Sequence, residues 1–287
     1  MIKRSYAKIN LALNINKRYE NGYHDLDMIM IRVNLYDKLY FSKIMSDEIQ
    51  LSCNNRFVPT DERNLVYKVV AKFKEVYDIP YGIKVHLIKN VPMQAGLGGG
   101  SSNAAAALQA LNEMFDTNLT LQEQVDFIKE FGSDIPFFLY DRTCRVSGLG
   151  SDIDIIENNL SDDIHIILIK PYKGLSTKAV YQNVSLDSCD HPDIPSLIQA
   201  VKDNDYDYVV NNIKNSLQES AIDLRPKIGR LMEEVKAMGV DVCMVSGSGS
   251  TFFSLTKSKE VVDKIKNNPN LNKNFMFITK FVKEGES

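Results

Sequence analysis

The chain has 287 residues, 44% of them hydrophobic and 25% charged, with a net charge of −3 at neutral pH. That length supports one large domain or two ordinary ones with a full core, and the absence of any long basic run excludes nucleic acid as a main partner. No apolar run approaches the roughly 20 residues of a membrane span, Lys3, Arg4 and Lys8 interrupt any N-terminal leader, and Cys53, Cys144, Cys189 and Cys243 form no C-x-x-C pair. The expectation is a soluble, cytoplasmic protein with free thiols and no membrane partner.

Residues 2–15 read as a strand, with Ile9, Leu11, Leu13 and Ile15 alternating with Asn10, Ala12, Asn14 and Asn16. Lys8 and Asn10, two apart, share a face; taken alone, Lys8 also fits a solvated edge lysine. Asn21-Gly22 marks a turn, and Tyr23-His24 follow it. An aromatic face beside a donor–acceptor ring suits a base or a sugar, although such a pair beside a turn also serves as plain surface. Segments 28–31 and 39–41 look like two strands with Asp37 at a bend between them, and 49–53 like a third. Asn64 opens a helix whose stripe is Leu65, Val69 and Phe73, and Ile79-Pro80 stops it. Ile83, Val85 and Leu87 alternate as a strand leading to Lys89.

Pro92 to Leu108 is the most informative stretch. Gly96, Gly98, Gly99 and Gly100 strip side chains from four of five positions, and Ser101-Ser102-Asn103 then pass into alanines. Ser101, Ser102 or Asn103 is expected to cap the helix. A bare loop entering a helix N-terminus suits a polyphosphate, because unsatisfied N–H groups and about half a positive charge meet there. It is not a P-loop, since Ser101 stands where that pattern needs lysine.

Thr120 and Glu123 form a capping box for the next helix. Asp134 then stands in a Gly-Ser-Asp-Ile-Pro loop among apolar residues. A carboxylate there suits either a general base or a turn. A strand at 144–146 and a turn at 148–150 precede an acidic, polar stretch at 150–163, read as the boundary between domains 1–154 and 155–287. Beyond it come a strand at 164–168, a short helix at 176–181, and a loop-rich 183–195. Helices at about 195–203, 206–218 and 225–238 follow. The chain ends in a strand at 240–245, a small-residue loop Ser246-Gly247-Ser248-Gly249-Ser250, a strand at 251–255, a helix at 259–267 and a strand at 275–278. The class is α+β.

In order, Lys8-Ile9-Asn10 with Tyr23-His24, the loop from Pro92 to Ser102, and Ser246 to Ser250 resemble the GHMP kinases. With Gly132-Ser133-Asp134-Ile135-Pro136 added, the chain is similar to the branch of that family that phosphorylates the 2-hydroxyl of a cytidine-diphosphate-linked methylerythritol, on the non-mevalonate route to isoprenoid precursors. The resemblance implies a two-domain fold. Its N-terminal domain is ribosomal protein S5 domain 2-like, and its C-terminal domain is a ferredoxin-like α/β sandwich. It implies ATP as co-substrate with Mg2+ carried on it, and a small-molecule acceptor; the oligomeric state stays open. It makes Asp134 the base and Lys8 its partner. Pro92, Met93, Gln94, Ala95, Gly96, Leu97, Gly98, Gly99, Gly100, Ser101 and Ser102 become the triphosphate loop, with Asn64 and Lys89 toward the adenine. Asn10, Tyr23, His24 and Tyr181 form a cytidine pocket, closed by Gly247, Ser248 and Gly249. No residue is implied as a dedicated metal ligand. Gln94-Ala95 and the serines of 246–250 depart from the family's usual residues. The alternatives are a GHMP kinase with another acceptor, and a non-catalytic nucleotide-binding paralogue; Tyr23-His24 argue against the first, Lys8 with Asp134 against the second.

Overall fold

A computed structural model describes residues 1–150, 152–283 and 285. Its elements, in order, are β1 (Ile2–Arg18), β2 (His24–Ile44), β3 (Ile49–Cys53), α1 (Leu65–Val76), β4 (Gly82–Ile88), α2 (Gly99–Met114), α3 (Leu121–Ile128), β5 (Thr143–Gly148) and β6 (Asp152–Ile156). The second half holds β7 (His165–Lys170), α4 (Thr177–Asn183), α5 (Ile194–Lys202), α6 (Tyr206–Asn212), α7 (Gln218–Leu224), α8 (Pro226–Lys236), β8 (Val242–Val245), β9 (Phe252–Thr256), α9 (Lys259–Lys266) and β10 (Phe275–Thr279).

The first sheet is built on β2. β1 pairs along one edge of this 21-residue strand, while β4 and β5 share the other edge at Lys38–Ile44 and Leu26–Met30. β3 joins β4 in parallel and β6 joins β5. The second sheet runs β10-β7-β9-β8, all antiparallel. This is the fourth–first–third–second order of a ferredoxin-like sandwich. We propose that the two domains divide in the connection between β6 and β7.

The β1–β2 hairpin is buried on both faces, so the alternating Ile9, Leu11, Leu13 and Ile15 do not all enter one core. The register slips between Asn10 and Ala12. Leu11 is the extra residue of that bulge, and an extra residue inverts every side chain beyond it. Ile9 and Leu11 therefore join one core, with Ile29, Ile31 and α5 (Leu197, Val201), whereas Leu13 and Ile15 join the other, with α1 and α2.

Several expectations need correction. Asp37 is not at a bend; it lies inside unbroken β2, fully buried. The acidic run after residue 151 is partly strand: Asp152–Ile156 pairs with β5 as β6, with Ile153 half-buried against one core and Ile156 buried in the other, while Asp152, Asp154 and Ile155 are exposed; residue 151 lies outside the described residues. The expected 206–218 helix stops at Asn212 as α6; in the connection that follows Asn215 donates to the carbonyls of Val245 and Gly247, each at 2.8 Å, and α7, which was not expected, starts only at Gln218. The cap of α2 is Gly98 in the left-handed region (φ 66°), with no side-chain cap bond. Ser101, Ser102 and Asn103 lie inside the helix. Local signals held elsewhere: Asn64 caps α1 and Thr120–Glu123 form a complete capping box on α3.

Asp37 explains where α2 sits. Its carboxylate accepts from the backbone N–H of Asn90 (2.7 Å) and Val91 (2.8 Å), and from Asn103 Nδ2 at 2.9 Å, and it pairs with Lys89. One buried group thus ties β2, the segment leading into the glycine loop, and the first turns of α2. Asp37→Ala leaves the buried Lys89 without its counter-ion, at a cost of about 3–5 kcal/mol. The measurement is the urea midpoint, and a midpoint unchanged from wild type would remove Asp37 from this role.

Candidate active site

The glycine loop is held between the two halves of the molecule. Lys8 N–H donates to the Leu97 carbonyl at 3.0 Å, so the loop adds to the edge of β1. On its other side Thr251 N–H donates to the Ala95 carbonyl (3.2 Å), and Ser246 Oγ to the Gly96 carbonyl (3.1 Å). Gly96, at φ 71°, is needed for this approach, because a Cβ there would stand 2.2 Å from the Ser246 carbonyl. At Gly98 a Cβ would stand 2.5 Å from Phe138 Cζ. The loop therefore cannot carry side chains at these positions, and α2 begins with open N–H groups beside a cleft.

That cleft has a volume of about 840 Å³. It is lined by every residue from Pro92 to Ser101, and by Asn64, Lys89, Lys8, Asn10, Tyr23, His24, Asp134, Tyr181, Gly247 and Ser248. Two expected residues are not among its lining. Ser102 is buried behind α2 and its hydroxyl accepts from Ser5 Oγ at 2.7 Å. Gly249 points inward, where a Cβ would meet Val245 and Leu175. Asn64 reaches the cleft with its side-chain amide already committed, to Val66 N–H (2.9 Å) and the Pro59 carbonyl (2.7 Å).

At the centre, Lys8 is buried and donates through Nζ to Asn10 Oδ1. Burial pushes its ammonium below the usual lysine range, opposed by the charge of nearby Asp134. Asp134 itself is half-buried on the loop before the Pro136–Leu139 turn. Gly247 comes in from the other half: its position leaves 3.0 Å between a Cβ there and Asn10 Oδ1.

At the far end, His24 and Tyr181 face each other with ring centroids 5.0 Å apart, tilted by 38°. His24 is buried, and its Nε2 has no hydrogen-bond partner among the described residues. Burial first, then the charge of Arg18, holds its imidazole below the ordinary 6.5. Burial pushes the Tyr181 phenol up. Tyr23 is 66% exposed at the mouth.

Sequence reasoning missed Asp37 and Asn103, whose partners lie far off in the chain. It also missed Arg18, Thr177 and Lys178, which line the cleft. Arg18 stands opposite His24 in the β1–β2 register, and that pairing was the available signal. Among the described residues no helix is long and apolar enough to cross a membrane, and no group of three or more His, Cys, Asp or Glu could hold a metal ion.

Two family models match: "GHMP kinases N terminal domain" over residues 64–142 and "GHMP kinases C terminal" over 192–271. The chain is 42% identical to a 4-diphosphocytidyl-2-C-methyl-D-erythritol kinase of Clostridium beijerinckii, covering 88% of this chain and 89% of the relative. It is 34% identical to the Bacillus subtilis protein of the same name, covering 93% and 92%. A crystal structure of a 4-(cytidine 5'-diphospho)-2C-methyl-D-erythritol kinase superposes with a TM-score of 0.81 at 26% identity, covering 99% of this chain and 100% of that one. A homoserine kinase from Cytophaga hutchinsonii shares the fold, with a TM-score of 0.72 at 18% identity and coverage of 98% and 96%.

Because His24 is held below 6.5, the unfolded chain takes up that proton first as pH falls. The stability from its neutral ring is therefore complete above about 6.5 and is lost as pH drops through the folded value. NMR titration of the histidine ring protons should show His24 titrating below 6.5, with Arg18→Gln moving its midpoint upward. A wild-type midpoint at or above 6.5 would contradict this electrostatic picture.

Proposed function

Because the chain belongs to the GHMP kinases, and within them to the 4-diphosphocytidyl-2-C-methyl-D-erythritol kinases, we propose that its cleft moves the γ-phosphate of ATP to the 2-hydroxyl of 4-diphosphocytidyl-2-C-methyl-D-erythritol. The enzyme is an ATP-dependent phosphotransferase of the non-mevalonate isoprenoid route. One observation carries the assignment of its parts: a glycine loop, a lysine–aspartate centre and a buried histidine whose Nε2 has no hydrogen-bond partner among the described residues lie along a single cleft.

The open N–H groups at the start of α2 and the glycine backbone before it receive the triphosphate. Magnesium comes with the nucleotide, held largely by phosphate oxygens. Asp134 accepts the proton of the acceptor hydroxyl as its oxygen attacks the γ-phosphorus. The bond from that phosphorus to the bridging oxygen breaks, and ADP leaves. Lys8, close enough to feel the charge of Asp134, offsets the charge that spreads over the transferring group. Asn10 holds Lys8, and Gly247-Ser248 close the space above both.

The other end fits a base. A neutral imidazole donates at one nitrogen and accepts at the other, which matches the amine and ring nitrogen of cytosine, while Tyr23 and Tyr181 offer ring faces. The separation also fits. His24 lies six residues along β2 from Met30, the partner of Asn10, which is about 20 Å of strand. A small free alcohol at Asp134 would leave that space empty.

The test is ADP release coupled to acceptor phosphorylation. Wild type should turn over, Asp134→Asn should lose roughly 10²–10⁴-fold in kcat, the range for a missing general base, and Lys8→Met should fall comparably with ATP still bound. Turnover by Asp134→Asn within tenfold of wild type would sink Asp134 as the base. An absence of turnover by folded wild type would sink the acceptor.

A further inference from the structure

Between the lysine–aspartate centre and the ring pair, α4 forms the wall of the cleft. Thr177, Lys178, Tyr181 and Gln182 line it, a spacing that puts them on one helical face. Two have fixed neighbours. Thr177 Oγ1 lies 3.0 Å from Ser248 Oγ, on the loop that covers Lys8 and Asn10. The Tyr181 ring packs against His24. At 1.5 Å per residue these two anchors stand about 6 Å apart along the helix axis, and Lys178 projects from the turn between them.

Its ammonium has no hydrogen-bond or ion-pair partner among the described residues. Of the other cations of the cleft, Lys8 is bonded to Asn10 and Lys89 is paired with Asp37, while Arg18 stands opposite His24 at the ring end. Among the described residues of the lining the one carboxylate is Asp134, at the reacting end. Lys178 therefore brings to the middle of the cleft a positive charge that no described lining residue neutralises.

We propose that Lys178 binds the diphosphate of the acceptor and so makes the enzyme select a nucleoside-diphosphate-linked alcohol over the bare nucleoside or the free alcohol. This rests on the reading of His24 and Tyr181 as the base pocket. An acceptor whose base lies at His24 and whose hydroxyl lies at Asp134 must carry its phosphates past the first turn of α4. A lysine suits them as a flexible point charge.

The experiment measures binding of CDP and of cytidine by calorimetry, with a non-hydrolysable ATP analogue saturating the other site, for wild type, Lys178→Gln and Lys178→Arg. Acceptor and ATP KM values are measured beside it. Wild type should prefer CDP to cytidine. Lys178→Gln should weaken CDP roughly tenfold, about 1.4 kcal/mol, leave cytidine unchanged, and raise the acceptor KM alone. Lys178→Arg should keep most of the preference, and high salt should erase it. Equal weakening of CDP and cytidine would overturn the proposal, since it would mean that α4 merely shapes the pocket. So would an unchanged CDP affinity, and in either case wild-type turnover of the acceptor leaves the kinase assignment standing. A wild type that neither turns over the acceptor nor binds CDP or cytidine overturns both.

Discussion

Two backbones touch at Gly96, and the cleft exists because they do. The glycine loop closes against the Ser246–Thr251 loop through two hydrogen bonds, and the space for a side chain is taken by the Ser246 carbonyl. Neither loop belongs to a strand or a helix. Each is fixed by what stands behind it: Asp37 and the small residues of α2 on one side, Asn215 holding the Val245 and Gly247 carbonyls on the other. The loops then hold Lys8 and Asn10 between them. Polar groups this deeply placed must be satisfied or they cost free energy, so the network specifies one relative position of the two sheets.

What the amino-acid sequence reveals divides along the same line. Caps, turns and alternation depend on neighbours within a few residues, and Asn64, Thr120 and β4 were legible for that reason. The two loops were legible as well, because their glycines and small residues are contiguous. Asp37 was not. Its partners lie 52 to 66 residues away, and an isolated aspartate between two apolar runs reads locally as a bend. The Leu11 bulge was hidden because Ile9, Leu11, Leu13 and Ile15 keep an unbroken alternation through it, and each side of the hairpin has a core to receive them. The early end of α6 was hidden too, since Asn215 beyond it donates to carbonyls 30 and 32 residues on. In each case a distant partner overrode a local preference.

Burial has opposite uses at the two ends of the cleft. At Lys8 it disfavours the ammonium, and a nearby carboxylate has to oppose it. The carboxylate thus supports the positive charge that a buried lysine brings to the centre of the cleft. At His24 burial and a cation act together and keep the ring neutral. An imidazolium would have two donors and no acceptor, and would lose half of its complementarity to a cytosine edge. Charge is retained where the reaction needs it and withheld where recognition needs a donor and an acceptor.

The two ends also differ in what evolution can change. The nucleotide end is made of backbone N–H groups, glycines and a helix terminus, so substitution there disturbs the packing of both halves at once. The proposed acceptor end is made of side chains on the β1–β2 turn and one face of α4, and their exposed members, Arg18, Tyr23 and Lys178, belong to neither hydrophobic core. Exchanging them alters which acceptor fits while the sheets, the loop contact and the lysine–aspartate centre remain. A fold of this kind can keep one phosphoryl-transfer chemistry and vary its acceptor, because the residues that choose the acceptor are not the ones that hold the two halves together.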